Sequence, residues 1–266
     1  MSTCSLALLL IFAAVGAAAV TGQSQCEGNL TIADFVVSPG GRNSKVPAGP
    51  RPVLIDLGAN CGNSFHSILR DYPRLDRPTL QAFLWEPDPR LVSRWLRPIS
   101  KKDPRVFVVN GAASVDPGVS CASFYLDART DSLSTAQLGR KRCNRWGIAT
   151  SSSLHVRADS RKGRPIHIAS VDVLQWLLHL ELRREDEVFV KIDIEGHELR
   201  LVPHLMSAPQ ELWCLVDTWA IEWHARLWPA RDDVERTRNK DLAHALGNAT
   251  RARAAVCGGE VINDWP

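Results

Sequence analysis

The chain has almost no excess of either charge, no paired-cysteine zinc motif and no internal repeat. Its 266 residues carry 32 Lys and Arg against 29 Asp and Glu, and a net charge of +3 is too small to predict a nucleic-acid partner. No two cysteines stand in the CxxC spacing of zinc ligands. A hydrophobic fraction of 45% with 17 Gly and 16 Pro excludes collagen and low-complexity disorder. The sequence therefore predicts a globular protein, most simply with one large domain.

One long apolar run is present, from Leu6 to Val20. Its 15 residues are fewer than the roughly 20 that a membrane-spanning helix needs, and small residues follow it up to Gly22, as in a secretory signal peptide. We expect cleavage near Gly22. A retained signal anchor is the alternative, and the lack of Lys and Arg before the run weakens both interpretations. No other stretch approaches membrane length, which predicts no stable membrane span after cleavage.

Two further patterns agree with the lumen of the secretory pathway (ER or Golgi) or with secretion. The tripeptides that begin at Asn29 and Asn248 fit the N-glycosylation acceptor pattern. Removal of Cys4 with the signal leaves an even set of cysteines, which is compatible with up to three disulfides of undetermined pairing. Burial of several of them as free thiols is the alternative. The remaining cysteines are Cys26, Cys61, Cys121, Cys143, Cys214 and Cys257.

Short apolar runs alternate with helical periodicity along the rest of the chain. Because parallel strands need long crossover connections, this alternation predicts an α/β fold with a mostly parallel sheet and helices on both faces. A helix is expected to carry Val171, Leu174, Leu177 and Leu178, and another to span about 197–206. The expected strands are 52–57, 80–85, 106–109, 188–192 and 219–224, with a shorter apolar segment at 166–168.

The same patterns predict the domain organisation. We expect a signal peptide at 1–22, an N-terminal extension at 23–50, one α/β domain at 51–231 and a C-terminal extension at 232–266, which is a helix followed by coil. Periodicity fades at about 127–159, which predicts an irregular insertion or lid within the domain.

Polar residues collect where the predicted strands end. In open parallel sheets the ligand crevice lies at the carboxyl ends of the strands, where the strand order reverses, so we expect these residues to form one site. They are Asp56 to Ser64 after the first strand, Glu86 after the second, Asn110 to Ala112 after the third, Asp193 and Glu195 after the fourth, and Glu222 and His224 after the fifth.

Acidic residues decide which nucleoside suits this site. Asp56 would repel a pyrophosphate, whereas S-adenosylmethionine has no phosphate and presents an ammonium and a sulfonium that a carboxylate favours. Glu86 at the end of the next strand suits hydrogen bonds to two ribose hydroxyls. It stands 30 residues after Asp56, more than the roughly 20 of an NAD fingerprint. The sequence therefore predicts S-adenosylmethionine as the cofactor.

The ordered motifs resemble the FkbM-type methyltransferases over about 53–224. They are Asp56–Gly62 (DLGANCG), Glu86-Pro87, Asn110–Ala113 (NGAA), Ser170–Asp172 (SVD) and Lys191–Glu198 (KIDIEGHE). The resemblance implies a Rossmann-like class I methyltransferase fold, S-adenosylmethionine as methyl donor and O-methylation of a hydroxyl on a sugar or natural product. With the strand-end positions, it implies that the donor contacts Asp56, Gly58, Asn60, Gly62, Asn63, Ser64, Glu86, Pro87, Asn110 and Ala112.

Methyl transfer to an unactivated hydroxyl needs alignment, exclusion of water and a positioned base. Asp193 is the first candidate for that base, Glu195 and His224 follow, and His197 and Glu222 are reserves. Strand alternation would place Asp193 and Glu195 on the same side if the strand continued that far. A structural hydrogen-bonding role for the two acids and a satisfied interior position for His224 are the alternatives. No required metal is predicted.

The predicted function is a luminal O-methyltransferase that acts on a hydroxyl of a glycan or a secreted metabolite. The alternative is a non-catalytic luminal binding or interaction domain that keeps the methyltransferase fold. A nicotinamide-dependent oxidoreductase is a third hypothesis, which would require NAD to bind despite Asp56.

Overall fold

The structure, a computed structural model, describes residues 31–35, 49–127 and 162–263. The expected signal peptide, the acceptor tripeptide at Asn29, most of the N-terminal extension, Cys26 and Cys143, and the expected insertion beyond residue 127 lie outside these residues. Within the described ranges, no helix combines the length and the hydropathy that a membrane crossing requires.

Nine strands and eight α-helices make up the described chain. The strands are β1 (Pro52–Leu57), β2 (Gln81–Trp85), β3 (Val106–Val109), β4 (Ala112–Ser114), β5 (Val119–Asp127), β6 (Lys162–Asp172), β7 (Glu187–Ile192), β8 (Thr218–Ile221) and β9 (Glu260–Asn263). The helices are α1 (Ile32–Phe35), α2 (Asn63–Asp71), α3 (Pro89–Leu91), α4 (Arg97–Lys102), α5 (Val173–His179), α6 (Glu198–Met206), α7 (Gln210–Trp213) and α8 (Asp233–Ala255). A π-helix, Val92–Leu96, joins α3 to α4, and 3-10 turns occur at Pro73–Leu75 and Ala225–Leu227.

The main sheet has six strands in the order β3-β2-β1-β7-β8-β9, and every neighbouring pair is parallel. The predicted α/β class with a mostly parallel sheet is therefore confirmed. A second sheet has the order β4-β6-β5, in which β4 and β6 are parallel and β5 and β6 are antiparallel.

Helices cover both faces of the main sheet, as predicted. Alternate residues of β1 belong to different hydrophobic clusters: Val53, Ile55 and Leu57 lie in one, and Leu54 lies in the other. Because both faces are buried, the strand is apolar at almost every position. The first cluster includes Trp176 and Leu177 of α5, Leu201 and Leu205 of α6 and Trp213 of α7, and the second includes Phe65 and Ile68 of α2 and Leu96 of the π-helix.

The boundary between β6 and α5 differs from the prediction. Val171, expected on the helix, is a buried residue of β6, and Leu178, expected on the apolar face of the helix, is 59% exposed. The helix begins later because the side chain of Asp172 accepts hydrogen bonds from the N–H groups of Leu174 and Gln175 and caps it. Periodicity in the run did not show this cap.

The C-terminal segment also differs from the expected helix followed by coil. After α8 the chain turns at Gly258, whose φ is +75°, and residues 260–263 pair with β8 as the edge strand β9. A disulfide joins Cys257, which lies just before this turn, to Cys214, which follows α7. Cys61 and Cys121 are each disulfide-bonded as well. The segment therefore completes the main sheet. The acceptor residue Asn248 is exposed on α8.

Candidate active site

The strand order of the main sheet reverses between β1 and β7. The chain builds outward from β1 to β2 and β3 on one side and from β7 to β8 and β9 on the other. In sheets of this kind the ligand crevice lies at the carboxyl ends of the two central strands. Asp56 and Gly58 stand at that end of β1, and Asp193 follows β7. Asp56, Gly58 and Asp193 therefore meet at the switch point, as predicted from the sequence.

The two glycines of the β1–α2 loop have internal reasons to be glycine. Gly58 has a φ of +90°, and a Cβ there would lie 1.8 Å from the carbonyl oxygen of Asp193. Gly62 has a φ of +81°, and a Cβ there would lie 2.5 Å from the Cδ1 atom of Ile99. Both positions favour glycine because of backbone conformation and close packing. Their predicted contact with a cofactor stays a prediction.

Four N–H groups of this loop donate within the protein. A pyrophosphate is normally held by loop N–H groups that point at the ligand. Here the donors instead bind acceptors at the carboxyl end of β2 and within the loop itself. The N–H groups of Gly58 and Ala59 donate to the Trp85 carbonyl at 3.1 and 2.8 Å, that of Asn60 to Glu86 Oε2 at 2.9 Å, and that of Gly62 to the Ala59 carbonyl at 2.7 Å.

Glu86 lies at the end of β2 with its carboxylate fixed in one orientation. Its Oε2 accepts from the Asn60 N–H at 2.9 Å, and its Oε1 accepts from the Asp88 N–H at 2.8 Å. Burial raises the pKa of Glu86 well above its usual value, the charges of Asp88 and Asp56 raise it further, and the two N–H donors oppose the shift. Each carboxylate oxygen has a second acceptor position, which suits a pair of hydroxyl donors.

Asn110 is brought to this site, whereas Ala112 is not. The Asn110 amide, which follows β3, donates to the Glu86 carbonyl at 2.9 Å and to the Pro87 carbonyl at 3.4 Å, so it holds the backbone at the end of β2. Ala112 begins β4 and packs in a separate cluster with Phe124. Asn63 and Ser64 open α2 beside the loop.

Lys191 stands between the two central carboxylates. Its Nζ lies 3.1 Å from Asp56 Oδ1 and 3.0 Å from Asp193 Oδ2, and it also donates to the Gly58 carbonyl. The Ser64 hydroxyl donates to the other oxygen of Asp56. Burial lowers the pKa of Lys191, but the charges of Asp193 and Asp56 outweigh that effect and raise it, so the ammonium persists. Lys191 therefore couples the ends of β1 and β7.

The condition for pairing Asp193 with Glu195 by strand alternation, that the strand continues to residue 195, is not met. β7 ends at Ile192, and the chain turns with φ values of +55° at Glu195 and +105° at Gly196. A strand pattern cannot pass through residues in the left-handed region. The two side chains are therefore not presented by one strand.

Glu198, which the sequence analysis did not name as a site residue, organises this turn instead. Its Oε1 accepts from the Ile194 N–H at 2.8 Å, and its Oε2 accepts from the Gly196 N–H at 2.9 Å. An acidic residue that opens a helix directly after a glycine turn was the available signal, because such residues satisfy free N–H groups at helix starts. The reserve candidate His197 precedes it and is buried.

His224 follows β8 and lies among carboxylates. Its Nδ1 lies 3.1 Å from Glu198 Oε1 and 4.0 Å from Asp193 Oδ1, and its Nε2 lies 3.1 Å from Glu222 Oε1. Burial lowers the pKa of His224, but the hydrogen bonds to Glu198 and Glu222 and the charges of Glu198 and Glu195 raise it to about 11. Both ring nitrogens face carboxylate oxygens, which accept hydrogen bonds, so the geometry and the raised pKa both favour the imidazolium form over a free base.

Comparisons of the chain with protein-family models, with curated proteins and with solved structures found no match.

Proposed function

We propose that the protein is an S-adenosylmethionine-dependent O-methyltransferase. The observation that carries the proposal is the cluster of acidic side chains at the switch point, where Glu86 is held in one orientation directly after β2 and four N–H groups of the neighbouring loop donate within the protein. A ribose finds acceptors at Glu86, and a pyrophosphate finds neither free donors in these N–H groups nor favourable charge. The FkbM-like motifs support the same cofactor.

Charge favours a cationic ligand at this edge of the sheet. Five carboxylates gather around two buried cations, so the site has an excess of negative charge that a sulfonium and an ammonium would reduce. The carboxylates are Asp56, Asp193, Glu195, Glu198 and Glu222, and the cations are Lys191 and His224.

Asp193 is the best-placed group to receive the acceptor proton. Its side chain is 25% exposed, whereas Asp56 and Glu198 are fully buried. In the proposed step the acceptor oxygen forms a bond to the methyl carbon, the carbon–sulfur bond breaks, and sulfur leaves as a neutral thioether while the hydroxyl proton passes to Asp193. Lys191 holds the other oxygen of Asp193 and so orients it.

A hydroxyl of a glycan or a secreted metabolite is the proposed acceptor. The apolar N-terminal run and the Cys214–Cys257 disulfide support an oxidising lumen, because disulfides persist in such compartments.

Donor binding and transfer are tested separately. Calorimetry should show that Glu86→Ala weakens S-adenosylmethionine binding by about 1.5–3 kcal/mol, the range for hydrogen bonds to charged groups. Glu187→Ala, at the opposite end of the sheet, is the control and should bind as the parent does. Equal affinities in both variants would contradict the ribose assignment.

Transfer is followed by mass spectrometry of glycans incubated with labelled donor. We expect Asp193→Asn to keep donor binding and to lower the transfer rate by about 10²–10⁴-fold, as removal of a general base does. Transfer at the parent rate would refute the role of Asp193. Binding of donor without transfer to any acceptor class would favour the non-catalytic alternative.

One observation favours a second candidate function. A fully parallel sheet in the order β3-β2-β1-β7-β8-β9 is also the arrangement of dinucleotide-binding domains. A nicotinamide-dependent oxidoreductase therefore remains the competing hypothesis, and the internal use of the loop N–H groups argues against it.

A further inference from the structure

Three side chains from three elements converge beside the turn that follows β7. They are Asp193 after β7, Glu198 on the first turn of α6 and His224 after β8, and one ligand atom from each lies within 4.8 Å of the others. The cluster differs from a patch of surface acids because Glu198 and His224 are buried and the set includes an imidazole nitrogen.

The ligand atoms are oriented by surrounding groups. Glu222 holds His224 through Nε2, which leaves Nδ1 directed at Glu198 and Asp193. A carboxylate on the far nitrogen is the arrangement that metal-binding histidines use to fix ring orientation. Glu198 is oriented in turn by the N–H groups of Ile194 and Gly196.

The spacing suits a single ion. Two atoms bound to one ion at about 2.1 Å can be at most about 4.2 Å apart. His224 Nδ1 lies 3.1 Å from Glu198 Oε1 and 4.0 Å from Asp193 Oδ1, within that limit. The widest separation in the cluster is within 4.8 Å and needs to close by at most about 0.6 Å, which a small rotation of the partly exposed Asp193 provides.

We infer that Asp193, Glu198 and His224 form a binding site for one divalent transition-metal ion. An imidazole nitrogen with two carboxylates favours Zn²⁺ or Mn²⁺ over Mg²⁺ and Ca²⁺, which prefer oxygen alone. The ion would replace the proton that His224 shares with its carboxylates, and it would reach solvent on the side of Asp193. The inference does not depend on the methyl donor, because binding is measured without it. An ion bound to Asp193 would occupy the oxygen that the proposed function assigns to the acceptor proton, so the transfer assay uses chelator-treated protein.

The test is calorimetric titration of chelator-treated protein with Zn²⁺, Mn²⁺ and, separately, Mg²⁺. We expect one saturable site for Zn²⁺ or Mn²⁺. Binding should be at least about ten-fold weaker in His224→Gln and in Asp193→Asn, because loss of a ligand should cost no less than loss of a group that only orients a ligand. His204→Gln is the matched control, since His204 also pairs with a carboxylate, Asp172 at 3.0 Å, and forms no ion pair with a second acid in the part of the chain that the structure describes. Circular dichroism confirms that each variant is folded.

Two results would overturn the inference. One is the absence of saturable Zn²⁺ or Mn²⁺ binding by the folded parent protein. The other is equal binding in the parent, His224→Gln and Asp193→Asn, which would place the bound ion elsewhere on the chain. If His224→Gln does not fold, Asp193→Asn decides alone, because Asp193 is partly exposed and asparagine keeps its shape.

Discussion

Removal of Lys191 tests the electrostatics at the centre of the sheet. Lys191→Met takes away the ammonium that lies 3.1 Å from Asp56 and 3.0 Å from Asp193. Asp56 is 0% exposed and would keep the Ser64 hydroxyl as its remaining side-chain partner among the described contacts, whereas Asp193 can turn to water. Breaking a buried ion pair from one side costs about 3–5 kcal/mol, because the other charge stays buried and uncompensated.

The assay is urea unfolding of the parent protein and three variants with disulfides intact. Lys191→Met should lose about 3–5 kcal/mol of unfolding free energy, and the double variant with Asp56→Asn should recover a large part of that loss, because it removes the stranded charge. Lys101→Met, on an exposed part of α4, should change stability by less than about 0.5 kcal/mol. A loss below about 1 kcal/mol in Lys191→Met, or no recovery in the double variant, would refute the reasoning.

Three further predictions concern stability. Gly58→Ala should lower the unfolding free energy by more than about 2 kcal/mol, measured by thermal unfolding, because its Cβ would meet the Asp193 carbonyl. The control Gly118→Ala, at a φ of +73° with open space around it, should lower it by about 1 kcal/mol. Equal losses in the two variants would contradict the packing argument. In metal-free protein, His224 should add unfolding free energy relative to His224→Gln in full below a pH of about 6.5. This contribution should fall as the pH rises towards about 11, because folding raises the pKa of His224. A difference in unfolding free energy that does not change with pH would contradict the stabilisation of the imidazolium by the surrounding carboxylates. Replacing Cys214 and Cys257 by serine should cost about 2–4 kcal/mol in urea, given the 43-residue separation, and an unchanged midpoint would contradict this.

The central strands could be predicted from the sequence because burial on both faces leaves a continuous apolar run within each strand. The run at 52–57 coincides with β1, and the run at 188–192 matches β7 to within one residue, since strands buried on both faces are apolar at nearly every position. The four-residue edge strand β9 has no such run, and its pairing depends on a turn and a disulfide far along the chain. A local pattern of apolar and polar residues does not reveal pairing that depends on residues far apart in the sequence.

For the site as well, some features could be predicted from local sequence and others could not. Strand-end positions predicted that Asp56, Glu86 and Asp193 would share one edge of the sheet, because strand direction alone sets that geometry. The contribution of Glu198 required the left-handed turn at Glu195, and the charge state of His224 required the burial and the three carboxylates around it. Neither turn handedness nor burial can be read from spacing.

The most direct test of the account is a paired calorimetric titration of the folded protein with S-adenosylmethionine and with NAD⁺ under identical conditions. An acidic cluster beside a loop whose N–H groups at Gly58, Ala59, Asn60 and Gly62 donate within the protein should bind the phosphate-free sulfonium nucleoside and give no heat with the dinucleotide. Binding of NAD⁺ with no binding of S-adenosylmethionine would contradict it.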